Sequence, residues 1–181
     1  MSATLVDSAG HLTQIQGRVQ VKDFSDIFLI GAGNIPAENR DATNWMAGIS
    51  HLFRFQADKH LIQLGYQWDT DDAEGPNWAY HGHRFLVGSQ YTLPWQDLRL
   101  KYNFDLHLRR YPALNSSFPV TAPNTVRQNV VEQNHVARVE YPLPLNLTLA
   151  GDFQATISRA NLPVLFNYNR YIFTGSLSWA F

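Results

Sequence analysis

The sequence predicts an all-β fold over residues 1–181: an antiparallel transmembrane β-barrel region. Three observations carry that expectation. Long runs of residues alternate between apolar and polar, the connections between runs alternate between short and long, and the last run ends on an aromatic residue. Alternation puts successive side chains on opposite faces of a strand, whereas a helix would scatter the same residues around its circumference. A strand with one apolar and one polar face borders two different solvents. The run 97–109 is thirteen residues long, against ~5–6 for an average globular strand. A tilted strand needs roughly 9–11 residues to cross the hydrocarbon of a bilayer.

Taken in chain order, residues 4–9 form a short candidate strand. In 12–21, Ile15, Gly17, Val19 and Val21 oppose Gln14, Gln16, Arg18 and Gln20, and a shorter strand is expected within 26–33. In 44–56, Trp45, Ala47, Ile49, Phe53 and Phe55 oppose Gly48, Ser50, Arg54 and Gln56. In 60–69, Ile62, Leu64, Tyr66 and Trp68 oppose Gln63, Gly65, Gln67 and Asp69. Strands at 79–92 and 129–141 flank the run 97–109, where Leu98, Leu100, Tyr102, Phe104, Leu106 and Leu108 oppose Arg99, Lys101, Asn103, Asp105, His107 and Arg109. In 145–157, Leu145, Leu147, Leu149, Gly151, Phe153, Ala155 and Ile157 oppose Asn146, Thr148, Ala150, Asp152, Gln154, Thr156 and the following Ser158. The last strand, 167–181, sets Tyr171, Phe173, Gly175, Leu177, Trp179 and Phe181 against Arg170, Thr174, Ser176, Ser178 and Ala180; Ile172 is the exception on the polar side.

Tight connections are expected at 57–59, 93–96 and 142–144, and longer ones near 34–40 and at 71–78, 111–128 and 161–166. Short on one side and long on the other is the layout of periplasmic turns and extracellular loops. Nine or ten strands are visible. Bacterial barrels carry even numbers of strands, and an unclosed sheet in lipid leaves edge amides and carbonyls unsatisfied at several kcal/mol each. The region is therefore expected to belong to a larger closed barrel.

Composition fits this reading without demanding it. Hydrophobic residues make up 45% and the mean hydropathy is -0.26, values that averaging over alternation produces in a barrel. No apolar run approaches the ~18 residues of a membrane helix. Aromatic residues (13%) such as Trp45, Tyr66, Trp68, Tyr91, Tyr141, Tyr171 and Trp179 are expected near strand ends, where rings with a polar handle suit the headgroup level. Cysteine is absent, which excludes disulfides and thiolate metal sites. A net charge of -1 gives no electrostatic reason for a nucleic-acid partner. The first residues have no basic segment followed by an apolar one, so the region is expected to be the carboxyl-terminal part of a longer precursor.

The terminal strand, with Tyr171, Phe173, Leu177, Trp179 and Phe181, resembles the carboxyl-terminal assembly signal of Gram-negative outer-membrane proteins. The usual glycine of that signal lies one position nearer the end than Gly175. The segments HRFLVGSQYTLPWQDLRLKYNFDLHLRRY and HVARVEYPLPLNLTLAGDFQATISRANLPVLFNYNRYIFTGSLSWAF resemble the carboxyl-terminal barrel of tetratricopeptide-repeat outer-membrane proteins. That resemblance covers roughly the last hundred residues. It implies an outer-membrane location, outer-membrane lipid and the barrel assembly machinery as partners, and a periplasmic repeat domain in the same chain. In that group some members export polysaccharide or surface proteins.

The polar faces are expected to line a lumen with Arg99, Lys101, Asp105, His107, Arg109, Asn134, Arg138, Glu140 and Asp152. Those charges either select solutes along an aqueous path or pair with one another because they cannot face lipid. The expected function is a pore, export channel or membrane anchor that acts without catalysis and without a cofactor. His81 and His83 share a strand face, yet no third ligand lies near them in sequence, so no metal site is expected. Asp69, Asp71, Asp72 and Glu74 lack the spacing of a calcium loop and read as a solvated acidic loop. Two alternatives stand beside this reading. One is a soluble ligand-binding barrel or sandwich with the apolar faces turned inward. The other is an outer-membrane hydrolase using Asp105 and His107 with Ser116 or Ser117.

Overall fold

Strand-forming alternation along most of the chain produces one continuous sheet. The computed structural model describes residues 2–8, 10–24, 39–94, 96–114, 127–161 and 167–180. In these, nine strands follow one another: β1 (Ser2–Ser8), β2 (His11–Lys22), β3 (Ala42–Phe55), β4 (His60–Ala73), β5 (Tyr80–Thr92), β6 (Arg99–Arg110), β7 (Asn129–Leu143), β8 (Leu147–Ala160) and β9 (Tyr168–Trp179). Each is hydrogen-bonded antiparallel to the next, in the order β1 to β9, and no helix occurs among the described residues. The sheet is not closed, with β1 and β9 as its edges.

Register keeps the two faces distinct across the whole meander. One inward row runs Gln67, Arg84, His107, Glu132 and Ser158, direct partners from β4 to β8. An outward row runs Leu64, Val87, Phe104, His135, Ala155 and Tyr171 from β4 to β9. A slip of one residue in any pair would exchange its faces, and from β2 to β9 the described register contains no such slip.

Burial follows these faces in an inverted sense. Polar residues on the inward face are covered: Asn44 is 2% exposed, His107 4% and Ser158 1%. Large apolar side chains on the outward face are uncovered, among them Trp45, Ile49, Leu64, Phe85, Val139 and Leu149 at 43–50%, and Phe173 at 77%. Toward the long-connection end the inward face also holds a small apolar cluster, with Val130 and Tyr111 buried and Tyr111 5.7 Å from the ring of Tyr80. Burial raises the Tyr111 phenol above its ordinary range.

Connections at one end are generally shorter than those at the other, although 93–98 and 74–79 are equal in length, because β4 runs on to Ala73 and β6 begins only at Arg99. Residues 56–59, 93–98 and 144–146 lie at the shorter end, whereas 74–79, 111–128 and 161–167 lie at the opposite end. Several bounds differ from expectation. The last tight turn falls at 144–146 rather than 142–144, with Pro142 still inside β7. Pairing with β6 stops at Glu140, so the missing N–H of Pro142 interrupts no ladder on that side, while Pro142 still faces Thr148 of β8. Strand β4 continues to Ala73, which places Tyr66 mid-strand rather than near an end. The strand expected within 26–33 lies outside the described residues, as do Phe181, Ser116 and Ser117.

Left-handed backbone makes the tight turns. Gln56, Ala57 and Asp58 have φ of 50°, 51° and 72°, and Leu145 and Asn146 have 63° and 59°. At the first turn Arg54 forms an ion pair with Asp58, and its hydrogen bonds hold the Asp58 carboxyl below the usual range.

Candidate functional site: the charged inward face

The nine residues expected to line a lumen share the inward face of the sheet, eight of them in two charged clusters and Asn134 between the clusters. Toward the short-turn end, Arg138 is the hub. Its Nε donates to Glu140 Oε1 at 2.6 Å and its Nη1 to both oxygens of Asp152 at 2.9 and 3.0 Å. Lys101 Nζ donates to the same Glu140 Oε1 at 2.9 Å, and Arg99 Nη1 lies 4.0 Å from Oε2. Three cations surround Glu140 and two carboxylates flank Arg138. Alternation aims each of these side chains inward, and register brings Arg99, Lys101, Arg138, Glu140 and Asp152 into adjoining rows.

The second cluster lies toward the long-connection end. His107 Nε2 donates to Asp69 Oδ1 at 3.0 Å, and Tyr80 donates its hydroxyl to Asp69 Oδ2 at 2.9 Å. Arg84 Nη2 donates to His107 Nδ1 at 3.3 Å, and Arg84 Nε lies 3.5 Å from Asp105. A guanidinium only donates and a carboxylate only accepts, so the imidazole carries its proton on Nε2. Arg109 Nη2 donates to Glu132 at 2.9 Å, and Lys22 Nζ reaches both oxygens of Asp71 at 2.8 Å.

Between the clusters the lining is mostly neutral. Asn134 Oδ1 accepts from Gln154 Nε2 at 3.1 Å and from Thr156 Oγ1 at 3.2 Å. A recess of about 340 Å³ opens here, with Gln14, Gln16, Gln63, Gln67, Asn103 and Asn134 among its walls. Amides offer both donors and acceptors without a fixed charge, which suits water or a neutral hydrogen-bonding solute.

Glycines permit this crowding. A Cβ on Gly82 would lie 2.3 Å from Asp69 Oδ1 and 2.6 Å from His107 Nε2, and one on Gly48 would lie 2.7 Å from the Gln67 side chain. Missing side chains in β5 and β3 let neighbours reach across a strand.

Several members of the two charged clusters are not among the residues expected from the sequence. Asp69 and Asp71 do not form a solvated acidic loop: both lie in β4, face inward and are 9% exposed. Asp72 is exposed, and Glu74 accepts from Asn39 at 2.7 Å. The alternation of 60–69, continued two residues further, was the signal that could have placed Asp71. Lys22, Arg84 and Glu132 are further members. Asp105 and His107 do share a face, as expected, and the carboxylate bonded to His107 is Asp69.

His81 and His83 share a strand face, as expected, and it is the outward one. His81 Nδ1 lies 2.9 Å from Thr70 Oγ1, and His83 Nδ1 lies 2.7 Å from the Tyr66 hydroxyl. Among the described residues no three His, Cys, Asp or Glu side chains cluster closely enough to hold a metal ion. No described helix is long and apolar enough to cross a membrane. No family model, curated protein or solved structure matches the chain.

Proposed function

We propose that this sheet is the wall of an outer-membrane β-barrel of Gram-negative type, which provides a passage across the membrane or anchors a periplasmic repeat module. The observation that carries this reading is the inverted burial. In water, exposing Leu64, Phe85, Val87, Tyr171 and their outward neighbours on one continuous face while covering Asn44, Asp69 and His107 would forfeit the hydrophobic driving force. With lipid outside, the same arrangement is the expected one. A soluble ligand-binding barrel would turn Leu100 and Leu149 inward, and both are outward and at least 40% exposed.

Dimensions support the same reading. A twelve-residue strand such as β6 extends about 40 Å, and at a tilt of about 45° it spans the ~30 Å of a hydrocarbon core. The inward network suits a passive role: cations and carboxylates neutralise one another, and the amide band between them binds solute weakly. No covalent step is required of any residue. Cell fractionation tests the proposal. Recovery in the outer membrane, resistant to carbonate extraction, is expected; recovery in the soluble fraction would refute it.

A further inference from the structure

We propose that the free edges of β1 and β9 are joined by an odd number of further antiparallel strands, a continuation of the same meander with the same alternation. This rests on the membrane reading above. Every consecutive pair among the nine strands is hydrogen-bonded and antiparallel, so nothing intervenes between neighbours and β1 runs in the same direction as β9. Direct contact between them would be a parallel pair, the weaker ladder. It would also be incomplete. β1 has seven residues and β9 twelve, so part of the β9 edge would keep its amides and carbonyls open to lipid.

A second copy of this chain does not solve the problem. Copies inserted with their short turns on one side all present β1 and β9 in that same direction, so a β9-to-β1 junction between them is again parallel. An antiparallel β9–β9 junction needs an inverted copy, with its long connections on the wrong side of the membrane. An odd number of added strands reverses direction once more, gives antiparallel ladders at both edges and makes the total even.

The partner strand next to β9 is defined chemically. It must place apolar side chains beside Tyr171, Phe173, Leu177 and Trp179, which are 56–77% exposed, and polar ones beside Arg170, Thr174 and Ser176. The edge strand is exposed on both faces, with only Ile172 partly covered, whereas its neighbour β8 covers Ala150, Ala155 and Ser158.

Residues 1–181 contain no cysteine, so they add no thiol background to disulfide trapping, and the full-length polypeptide without the introduced cysteines serves as the blank. In the natural full-length polypeptide in its native membrane, Thr148→Cys with Ser178→Cys, direct partners in β8 and β9, is the positive control. Thr4→Cys is combined in turn with Thr174→Cys, Ser176→Cys and Ser178→Cys. The control pair is expected to oxidise nearly completely and the Thr4 pairs at least tenfold less. A benzophenone side chain at Phe173 is expected to cross-link, within one polypeptide, to a peptide outside Ser2–Trp179. Efficient linkage of Thr4 to β9, within a chain or between copies, overturns this inference while leaving the membrane reading intact. Recovery of the control-linked protein in the soluble fraction overturns both.

Discussion

His107 and Asp69 meet at 3.0 Å although the whole of β5 runs between their strands. The contact exists because Gly82 has no side chain: a Cβ there would fall 2.3 Å from the carboxylate and 2.6 Å from the imidazole. Gly82→Ala is therefore expected to separate the pair, leaving both groups buried without each other, and to destabilise the folded sheet by about 1–3 kcal/mol. Gly151→Ala is the matched control. Its Cβ would meet nothing within 4 Å, and its cost is expected to stay within ~0.5 kcal/mol. Urea unfolding of both variants from lipid vesicles checks the contrast; equal losses would show that the Gly82 crossing does not matter to stability.

Outward substitutions separate by depth. Val87 and Phe153 lie near the middle of β5 and β8, while Leu100 and Leu149 sit close to the short-turn ends of β6 and β8. Arginine at Val87 or Phe153 is expected to cost about 2–4 kcal/mol on folding into a bilayer, and at Leu100 or Leu149 about 0–1 kcal/mol. The gradient is read from reversible folding into liposomes. A flat profile, or none of the variants impaired, would contradict the outward facing.

The turn at 144–146 contains a removable strain. Leu145 adopts φ 63° while its side chain is 82% exposed, so it holds a left-handed conformation with little burial in return. Leu145→Asn is expected to stabilise the protein by about 0.5–1 kcal/mol, since asparagine tolerates that region. Chemical denaturation of the refolded protein measures it, and a loss of stability would mean that Leu145 makes a contact worth more than its strain.

Deletion of Phe181 is expected to slow appearance of the folded, heat-modifiable form in cells while leaving the stability of the protein refolded in vitro unchanged. Pulse-chase labelling reads the rate. Equal rates with and without Phe181 would count against an assembly signal built on Tyr171, Phe173, Leu177, Trp179 and Phe181.

Strands were legible because each carries its own evidence: residues 99–110 alternate without reference to anything else in the chain. Their ends were less so. Asp69, Asp71 and Asp72 look like a loop until β5 is placed beside them, because acidic residues in a row signal solvent unless one face is known to be polar and covered. The sharing of a face followed from alternation: the nine residues expected to line a lumen lie on the same face of the sheet. Partnership did not follow. The pairing of His107 with Asp69 rather than the sequence neighbour Asp105 depends on inter-strand register and on a glycine in a third strand, neither of which is written locally. The same holds for Glu132, which meets Arg109 from the next strand at 2.9 Å, and for Arg84, which lies between His107 and Asp105.

The account rests on lipid lying against one face of the sheet and water or polar side chains against the other. Nitroxide labels on single cysteines through residues 150–157 of β8, in native outer membranes, measure this directly. Labels replacing Gly151, Phe153, Ala155 and Ile157 are expected to be relaxed by dissolved oxygen and shielded from a water-soluble nickel chelate. Those replacing Ala150, Asp152, Gln154 and Thr156 are expected to lose that oxygen preference, giving a period of two along the strand. Nickel access at Gly151 and Phe153 equal to that at Asp152 and Gln154, or a reversed period, would contradict the account.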